Sequence, residues 1–333
     1  MDASTQMVSD DDPLLDFRVV EPFNRPDGMA AGTFATTDLA RMRDYLESFL
    51  GLECVRHKAG AMLVRDRGWQ PDGHRRGHPY WVWEVTEVGE ITVPQGRENH
   101  WGIDLACNEE VDRAHVLAMA HKDRLGFKVV QKPRDQHGSY AFMIKDFDSN
   151  WMEVECHPRS TDAFQAGGGF GGDAASRTDD GAEFDAANPL LTPIFMSHGT
   201  IRCGGNGNAA RNFYTEFLGI GAPLREGYRS GGFATHRTWY VACLPVGADI
   251  IPQPEEIRWV FGVGSRQDLQ RFHDTAQEMQ ERYRIREIQP IQENGDAHFT
   301  RLQDLDGNWF EYQWREEPMG RWFDAEFEGG DVA

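Results

Sequence analysis

Asp146-Phe-Asp-Ser-Asn-Trp-Met-Glu153 returns 158 positions later as Asp304-Leu-Asp-Gly-Asn-Trp-Phe-Glu311. The same spacing sets His100-Trp101 against Arg258-Trp259. Further upstream, Ala31-Gly32-Thr33-Phe34 matches His198-Gly199-Thr200-Ile201. Arg43-Asp-Tyr-Leu-Glu-Ser-Phe-Leu-Gly51 matches Arg211-Asn-Phe-Tyr-Thr-Glu-Phe-Leu-Gly219. Self-similarity of this kind marks a duplicated chain, with a longer loop near Arg65–His78 in the first half.

Each half is itself bipartite. Asp38 is placed to cap a helix whose apolar stripe is Leu39, Met42, Leu46, Phe49 and Leu50, with Gly51 to end it. A second helix is expected over about Glu109–Leu125. The other half repeats the pattern with Ala210, Phe213, Tyr214, Phe217 and Leu218, then Leu269, Phe272, Ala276 and Met279. A short strand precedes each helix: Gly32–Thr36, Trp101–Leu105, Thr200–Cys203 and Trp259–Val263. Further strands follow, among them Tyr80–Val85, Tyr140–Ile144, Trp151–Cys156, Trp239–Leu244 and Trp309–Trp314. The order is strand, helix and about three strands, four times over: an α+β chain of four βαβββ modules. The expected division is an N-terminal extension over 1–28, a first domain over 29–157, a linker over 158–192, a second domain over 193–315 and an acidic tail over 316–333. The linker carries Gly167-Gly168-Gly169 and Gly171-Gly172 among small and acidic residues and has little to bury. The tails at both ends are expected to be partly disordered.

These residues resemble the vicinal oxygen chelate superfamily: glyoxalase I, bleomycin-resistance proteins and type I extradiol dioxygenases. The signs are a first strand opening with His, a helix ending in aromatic-Leu-Gly, and a last strand entered through Asp-x-Asp-Gly/Ser-Asn and carrying Glu. The resemblance covers about residues 29–157 and 195–315. It implies two domains of paired modules, each a curved mixed sheet around a cleft, with metal ligands drawn from first and last strands. Fold alone does not settle function, since the superfamily includes isomerases, dioxygenases and metal-free binders.

In that frame the first-strand positions are Ala31, His100, His198 and Arg258, and the last-strand carboxylates are Glu84, Glu153 and Glu311. If neighbouring modules pair, one site holds Glu84, His100 and Glu153, and the other His198 and Glu311 with Arg258, which cannot ligate a metal. If modules two and three pair, His100, Glu153 and His198 form the two-His, one-carboxylate set suited to non-heme iron(II). Modules one and four then hold Ala31, Arg258 and Glu311, with no metal and an Arg–Glu ion pair. We favour the second pairing, which the long linker permits. Ring cleavage also needs an acid–base group beside the metal. His236, His137 and Tyr140 are the candidates, although Met143 and Ile144 occupy the place where the extradiol pattern expects a Tyr. His57, His74, His78, His115, His121 and His273 read as surface residues, and His298 falls on the side without a metal. Most of Trp81, Trp83, Trp101, Trp151, Trp239 and Tyr240 read as core, a few as lining for an aromatic substrate.

The leading expectation is an Fe2+-dependent extradiol-type dioxygenase taking a small aromatic substrate and O2. A glyoxalase-like isomerase or lyase using Mn2+, Ni2+ or Zn2+, and a metal-free small-molecule binder, are the alternatives. Fifty-four acidic residues against 34 basic ones, a net charge of −20, argue against nucleic-acid and anionic-membrane partners, which need a basic face. There is no apolar run long enough for a membrane span, and Met1–Asp12 is unlike a signal peptide. Cys54, Cys107, Cys156, Cys203 and Cys243 show no CxxC spacing and read as reduced thiols. A cytoplasmic protein, assembling as a homodimer, is expected.

Overall fold

The computed structural model describes residues 22–67, 82–136, 138–156, 183–203, 207–219, 232–233, 240–245 and 250–332. Module one contains β1 (Gly28–Thr36), α1 (Leu39–Asp44, continued by a π-helical turn over Tyr45–Phe49), β2 (Glu53–Lys58), β3 (Ala61–Arg65) and β4 (Val82–Glu87). Module two contains β5 (Trp101–Asp104), α2 (Asn108–Ala120), β6 (Val129–Val130), β7 (Arg134–Gln136), β8 (Ser139–Lys145) and β9 (Trp151–Cys156). In module three, β10 (Phe195–Cys203) leads into α3 (Gly207–Asn212, again with a π-helical turn, Phe213–Phe217), β11 (Gly232–Phe233) and β12 (Tyr240–Pro245). Module four runs β13 (Arg258–Gly262), α4 (Arg266–Glu278), β14 (Glu287–Ile288), β15 (Gln292–Asn294), β16 (Ala297–Gln303) and β17 (Trp309–Arg315).

Helix starts follow local chemistry. The Asp38 side chain accepts from the Arg41 amide, and Ser265 accepts from Asp268, each satisfying a donor the helix leaves open. Gly51 and Gly219 both sit at a φ of +72° where the first helices end. At each, a carbonyl (Leu191 or Asn24) packs where a side chain would otherwise stand.

Within every module the first strand pairs in parallel with the last: β1 with β4, β5 with β9, β10 with β12, β13 with β17. Two antiparallel joints between first strands then build the sheets. β1 meets β13, and β5 meets β10. One sheet thus runs β14-β16-β17-β13-β1-β4-β3-β2 and the other β11-β12-β10-β5-β9-β8-β6, with β15 and β7 on their flanks. Modules one and four share the first sheet, and modules two and three the second. The expected sequential domains, 29–157 and 193–315, therefore do not correspond to the sheets, each of which takes a module from either half. The joints show why this pairing packs. Gly32 opposes Trp259 and Gly199 opposes Trp101 across them. A Cβ on Gly32 would clash with the Trp101 indole, and one on Gly199 with Trp259. The two indoles lie 4.7 Å apart between centroids, so each sheet's glycine admits an indole from the other.

The repeated Asp-x-Asp-x-Asn turns fasten the sheets further. Asp146 Oδ1 accepts from the Asp148 and Asn150 amides, and Asn150 Nδ2 donates across to the Ala35 carbonyl. Asp304 does the same with Asp306 and Asn308, and Asn308 Nδ2 reaches the Arg202 carbonyl. A single core joins both sheets and all four module helices through residues such as Phe34, Leu46, Trp83, Leu117, Phe142, Phe213, Phe272 and Phe310.

Two end segments depart from the sequence expectation. The tail over 316–333 is not a loose extension: Met319–Gly329 forms helix α5, whose Met319, Phe323 and Phe327 are buried against Ala31, Val55, Leu63, Val82 and Val260 on the far face of the first sheet. Three apolar side chains at helical spacing within an acidic segment drive this. Of the expected linker, residues 183–192 are docked: Leu190 and Leu191 are buried and their amides bond the Ser48 and Phe49 carbonyls. The glycine-rich part lies outside the described residues. Cys54, Cys107, Cys156 and Cys203 are free thiols. No described helix is long and apolar enough to cross a membrane.

Candidate metal centre

β9 alternates. Met152, Val154 and Cys156 enter the core, which turns Glu153 and Glu155 to the opposite face. Its neighbour β5 places Gly102 beside Glu153, and β10, on the other side of β5, places His198 opposite the same Gly102. Glu153 and His198 are thus two strand spacings apart, about 10 Å between backbones, and both side chains lean over a residue without one. A Cβ on Gly102 would fall inside the His198 ring. His100 precedes β5 and is held by Thr200 of β10, whose hydroxyl accepts the His100 amide at 2.9 Å.

The three side chains converge. His100 Nε2 lies 2.9 Å and His198 Nε2 3.0 Å from Glu153 Oε2, and the two nitrogens are 3.2 Å apart. The imidazoles stand at 90° to each other. All three residues are buried. His100 Nδ1 donates to the Arg97 carbonyl at 2.7 Å, and that acceptor fixes the proton on Nδ1 and leaves a lone pair on Nε2. His198 Nδ1 faces Glu155 Oε1 at 2.9 Å and Ser197 Oγ at 3.0 Å, a carboxylate–histidine pairing that likewise frees Nε2. Gln136 Nε2 donates to the remaining oxygen, Glu153 Oε1. Two nitrogen lone pairs and a carboxylate oxygen therefore face one point, an arrangement that a shared cation satisfies in full.

The spacing fits such an ion. Neighbouring ligands on an octahedral metal with bonds of about 2.1 Å are about 3.0 Å apart, and tetrahedral ones about 3.4 Å. The observed sides of 2.9, 3.0 and 3.2 Å match one face of an octahedron. Charge agrees. Burial works to raise the Glu153 carboxyl, yet the two imidazoles hold it well below its usual range. Burial works to lower His198, but Glu155 and Glu153 raise it well above an ordinary histidine. Among the described residues, His100, Glu153 and His198 are the one group of ligating side chains so gathered.

In the first sheet the corresponding positions hold Ala31, Arg258 and Glu311. Arg258 Nε donates to Glu311 Oε2 at 2.8 Å, the ion pair anticipated for modules one and four. Arg301 donates to the same oxygen at 2.7 Å. Glu84 belongs here, facing Lys58 Nζ at 2.6 Å, His57 at 3.4 Å and Arg258 at 3.5 Å, and so takes no part in the triad. His57, expected at the surface, is buried against it, because α5 closes over this face. His298 pairs with Glu293 at 3.0 Å.

Of the acid–base candidates, Tyr140 points away from the triad. It lies opposite Cys156 on β8, on the helix-covered face, and its hydroxyl donates to Asp112 of α2 at 2.7 Å. The alternation of β8 accounts for this: Met143, not Tyr140, is the residue directly opposite Glu153. His137, His236, Trp81 and Trp239 lie outside the described residues, as does the Tyr240 side chain. Trp83 and Trp101 are core residues between the sheets. Sequence reasoning missed Glu155, Gln136, Arg97 and Gly102. Glu155 was legible, being two residues from Glu153 on the same pleat face; the others become visible only when strands are in register.

No protein-family profile matches this sequence, and no curated protein matches it either. Solved structures do resemble it. A Bacillus subtilis protein described as a "putative dioxygenase" shares 10% identity, covering 89% of this chain and 87% of its own, at a TM-score of 0.53. Glyoxalase I from Zea mays shares 12% identity over 90% of this chain and 95% of its own, at 0.57. A V278E mutant of the maize enzyme gives 13%, 90%, 94% and 0.58. These likenesses define a chain with the vicinal oxygen chelate fold, the architecture of glyoxalases and dioxygenases.

Proposed function

We propose that this chain is an iron(II)-dependent dioxygenase that opens the ring of a catechol- or hydroquinone-type compound. The observation that carries the reading is the meeting of two imidazole Nε2 atoms and one carboxylate oxygen within 3.2 Å of one another. His100, His198 and Glu153 are the ligands. Two neutral imidazoles and one carboxylate form the facial set suited to non-heme iron(II). Bound there, the ion would supply open positions for two substrate oxygens and for O2. Glu155 and the Arg97 carbonyl orient the two rings, and Gln136 orients the carboxylate. Met143, beside Glu153, offers an apolar wall for an aromatic ring. His236 and His137 are the candidates for moving the substrate's hydroxyl protons.

The isomerase reading is weaker because such chemistry recruits a further carboxylate. Glu84, the candidate for it, is engaged by Lys58, His57 and Arg258 on the other sheet. The test is anaerobic purification, elemental analysis, loading with Fe2+, and O2 uptake on a panel of catechols and hydroquinones. One iron per chain and stoichiometric O2 consumption with a ring-opened product are expected. Turnover with Mn2+, Ni2+ or Zn2+ in the absence of O2 would select the isomerase instead, and a protein that takes up no metal would leave only a binding role.

A further inference from the structure

The internal duplication supplies a reference for the metal centre, and beyond its ligands two neighbouring positions differ in charge between the copies. In the first sheet, the counterpart of Glu153 is Glu311, that of Met143 is Arg301, and that of Arg97 is Glu255, all 158 positions on. There the charges close on themselves. Arg301 bonds both Glu311 and Glu255, and Arg258 adds a second cation to Glu311.

At the metal centre the same positions are left open. Met143 brings no charge to Glu153, whose carboxylate meets the two imidazoles and the Gln136 amide. Arg97, standing where the duplicate has a carboxylate, faces Met143 instead of a counter-ion. Its Nε donates to Met143 Sδ at 3.2 Å, a thioether that is only a weak acceptor. Among the described residues Arg97 has no carboxylate partner, although it is half-buried. Its backbone carbonyl holds the His100 ring, and Met143 is the direct strand neighbour of Glu153. The guanidinium therefore stands against the strand neighbour of Glu153, and among the described residues its two terminal nitrogens face no carboxylate. A partly buried arginine gains most from a planar anion that takes two N–H bonds at once.

We propose that Arg97 is a substrate-recognition residue: the substrate carries a carboxylate, and Arg97 binds it while the metal centre holds the hydroxylated ring. This inference rests on the dioxygenase reading and narrows its substrate class to aromatic diols with an acidic substituent. It gives the duplicated half a meaning, since the ion pairs that fill the first sheet show what the site looks like once its arginines are neutralised from within.

The test is anaerobic calorimetry on the Fe2+-loaded full chain, with two matched pairs of probes: catechol against 3,4-dihydroxybenzoate, and hydroquinone against 2,5-dihydroxybenzoate. In at least one pair the wild type should bind the carboxylated diol about tenfold or more tightly, the gain expected of a charge-assisted bond. That ratio should collapse to about one in Arg97→Gln and be partly kept in Arg97→Lys. Metal content, measured first on each protein, separates the failures. A wild type that takes up no iron overturns the metal-centre reading and this inference with it. A wild type that loads iron and binds the diols without preferring the carboxylated ones overturns the role of Arg97 alone. So does a preference that survives in Arg97→Gln.

Discussion

Arg258 and Glu311 are joined at 2.8 Å in the positions that His100 and Glu153 hold in the other sheet. One duplicated scaffold has thus produced two solutions for a buried carboxylate: a guanidinium in one copy, and a pair of imidazoles set for an ion in the other. An unpaired buried carboxylate costs several kcal/mol, so each copy must supply a positive partner.

Metal content should follow this division. Substituting His100 or Glu153 by Ala should abolish stoichiometric iron, while Glu311→Ala should leave it at one per chain. Glu155→Gln, which weakens the orientation of His198, should lower affinity by about 10–100-fold. Elemental analysis after dialysis, with competition against a chelator, reads all four variants. Iron retained in His100→Ala would overturn the assignment.

Gly102 leaves room for the His198 ring. Gly102→Ala should yield a folded protein whose iron affinity falls by about tenfold or more, since a displaced first ligand costs as much as a lost orienting contact. Gly89→Ala, where nothing lies within 4 Å of the added carbon, is the control and should bind iron as the wild type does. Circular dichroism and metal titration together decide.

The cationic cluster of the first sheet predicts a pH dependence. Burial works to raise the Glu84 carboxyl, but His57, Arg258 and Lys58 hold it well below its ordinary value. A depressed folded-state pKa contributes stability that is present above about pH 4.5 and is lost as pH falls through the folded value. Glu84→Gln should therefore destabilise the chain by about 3 kcal/mol at pH 7. The gap between variant and wild type should shrink as the solution is acidified below pH 4.5. Urea unfolding across pH 3 to 7 measures both. A gap that stays constant with pH would show that Glu84 acts through shape, not charge.

Ending the chain at Glu316 removes helix α5. Met319, Phe323 and Phe327 leave an apolar face, and a fully buried side chain of this kind is worth about 1.5–3 kcal/mol before the entropy of ordering the helix is subtracted. A net loss of about 2–4 kcal/mol is expected, seen as a lower thermal midpoint. Iron binding should be untouched, because the triad lies on the other sheet.

Much of this molecule was legible along the chain. Asp38 capped its helix as expected, β9 ran over Trp151–Cys156 as expected, and the repeated Asp-x-Asp-x-Asn segment marked equivalent turns. These features depend on residues within a few positions of one another. Tyr140 shows the limit: its type and proximity suggested chemistry, but the pleat sends it to Asp112. α5 shows another, since three apolar residues in an acidic tail carry a signal too short to read without the surface they cover.

The sequence by itself determined the module, its fourfold repetition, and the residue types at each first and last strand, because periodicity and turn chemistry are local. It left open which modules share a sheet. Tertiary structure decided that through the antiparallel joints of β1 with β13 and β5 with β10, where Gly32 and Gly199 admit indoles from the opposite sheet. That choice brings His100, Glu153 and His198 to one point and leaves Arg258 to neutralise Glu311. Convergence of side chains nearly 100 residues apart depends on strand register across the fold, which no local pattern encodes.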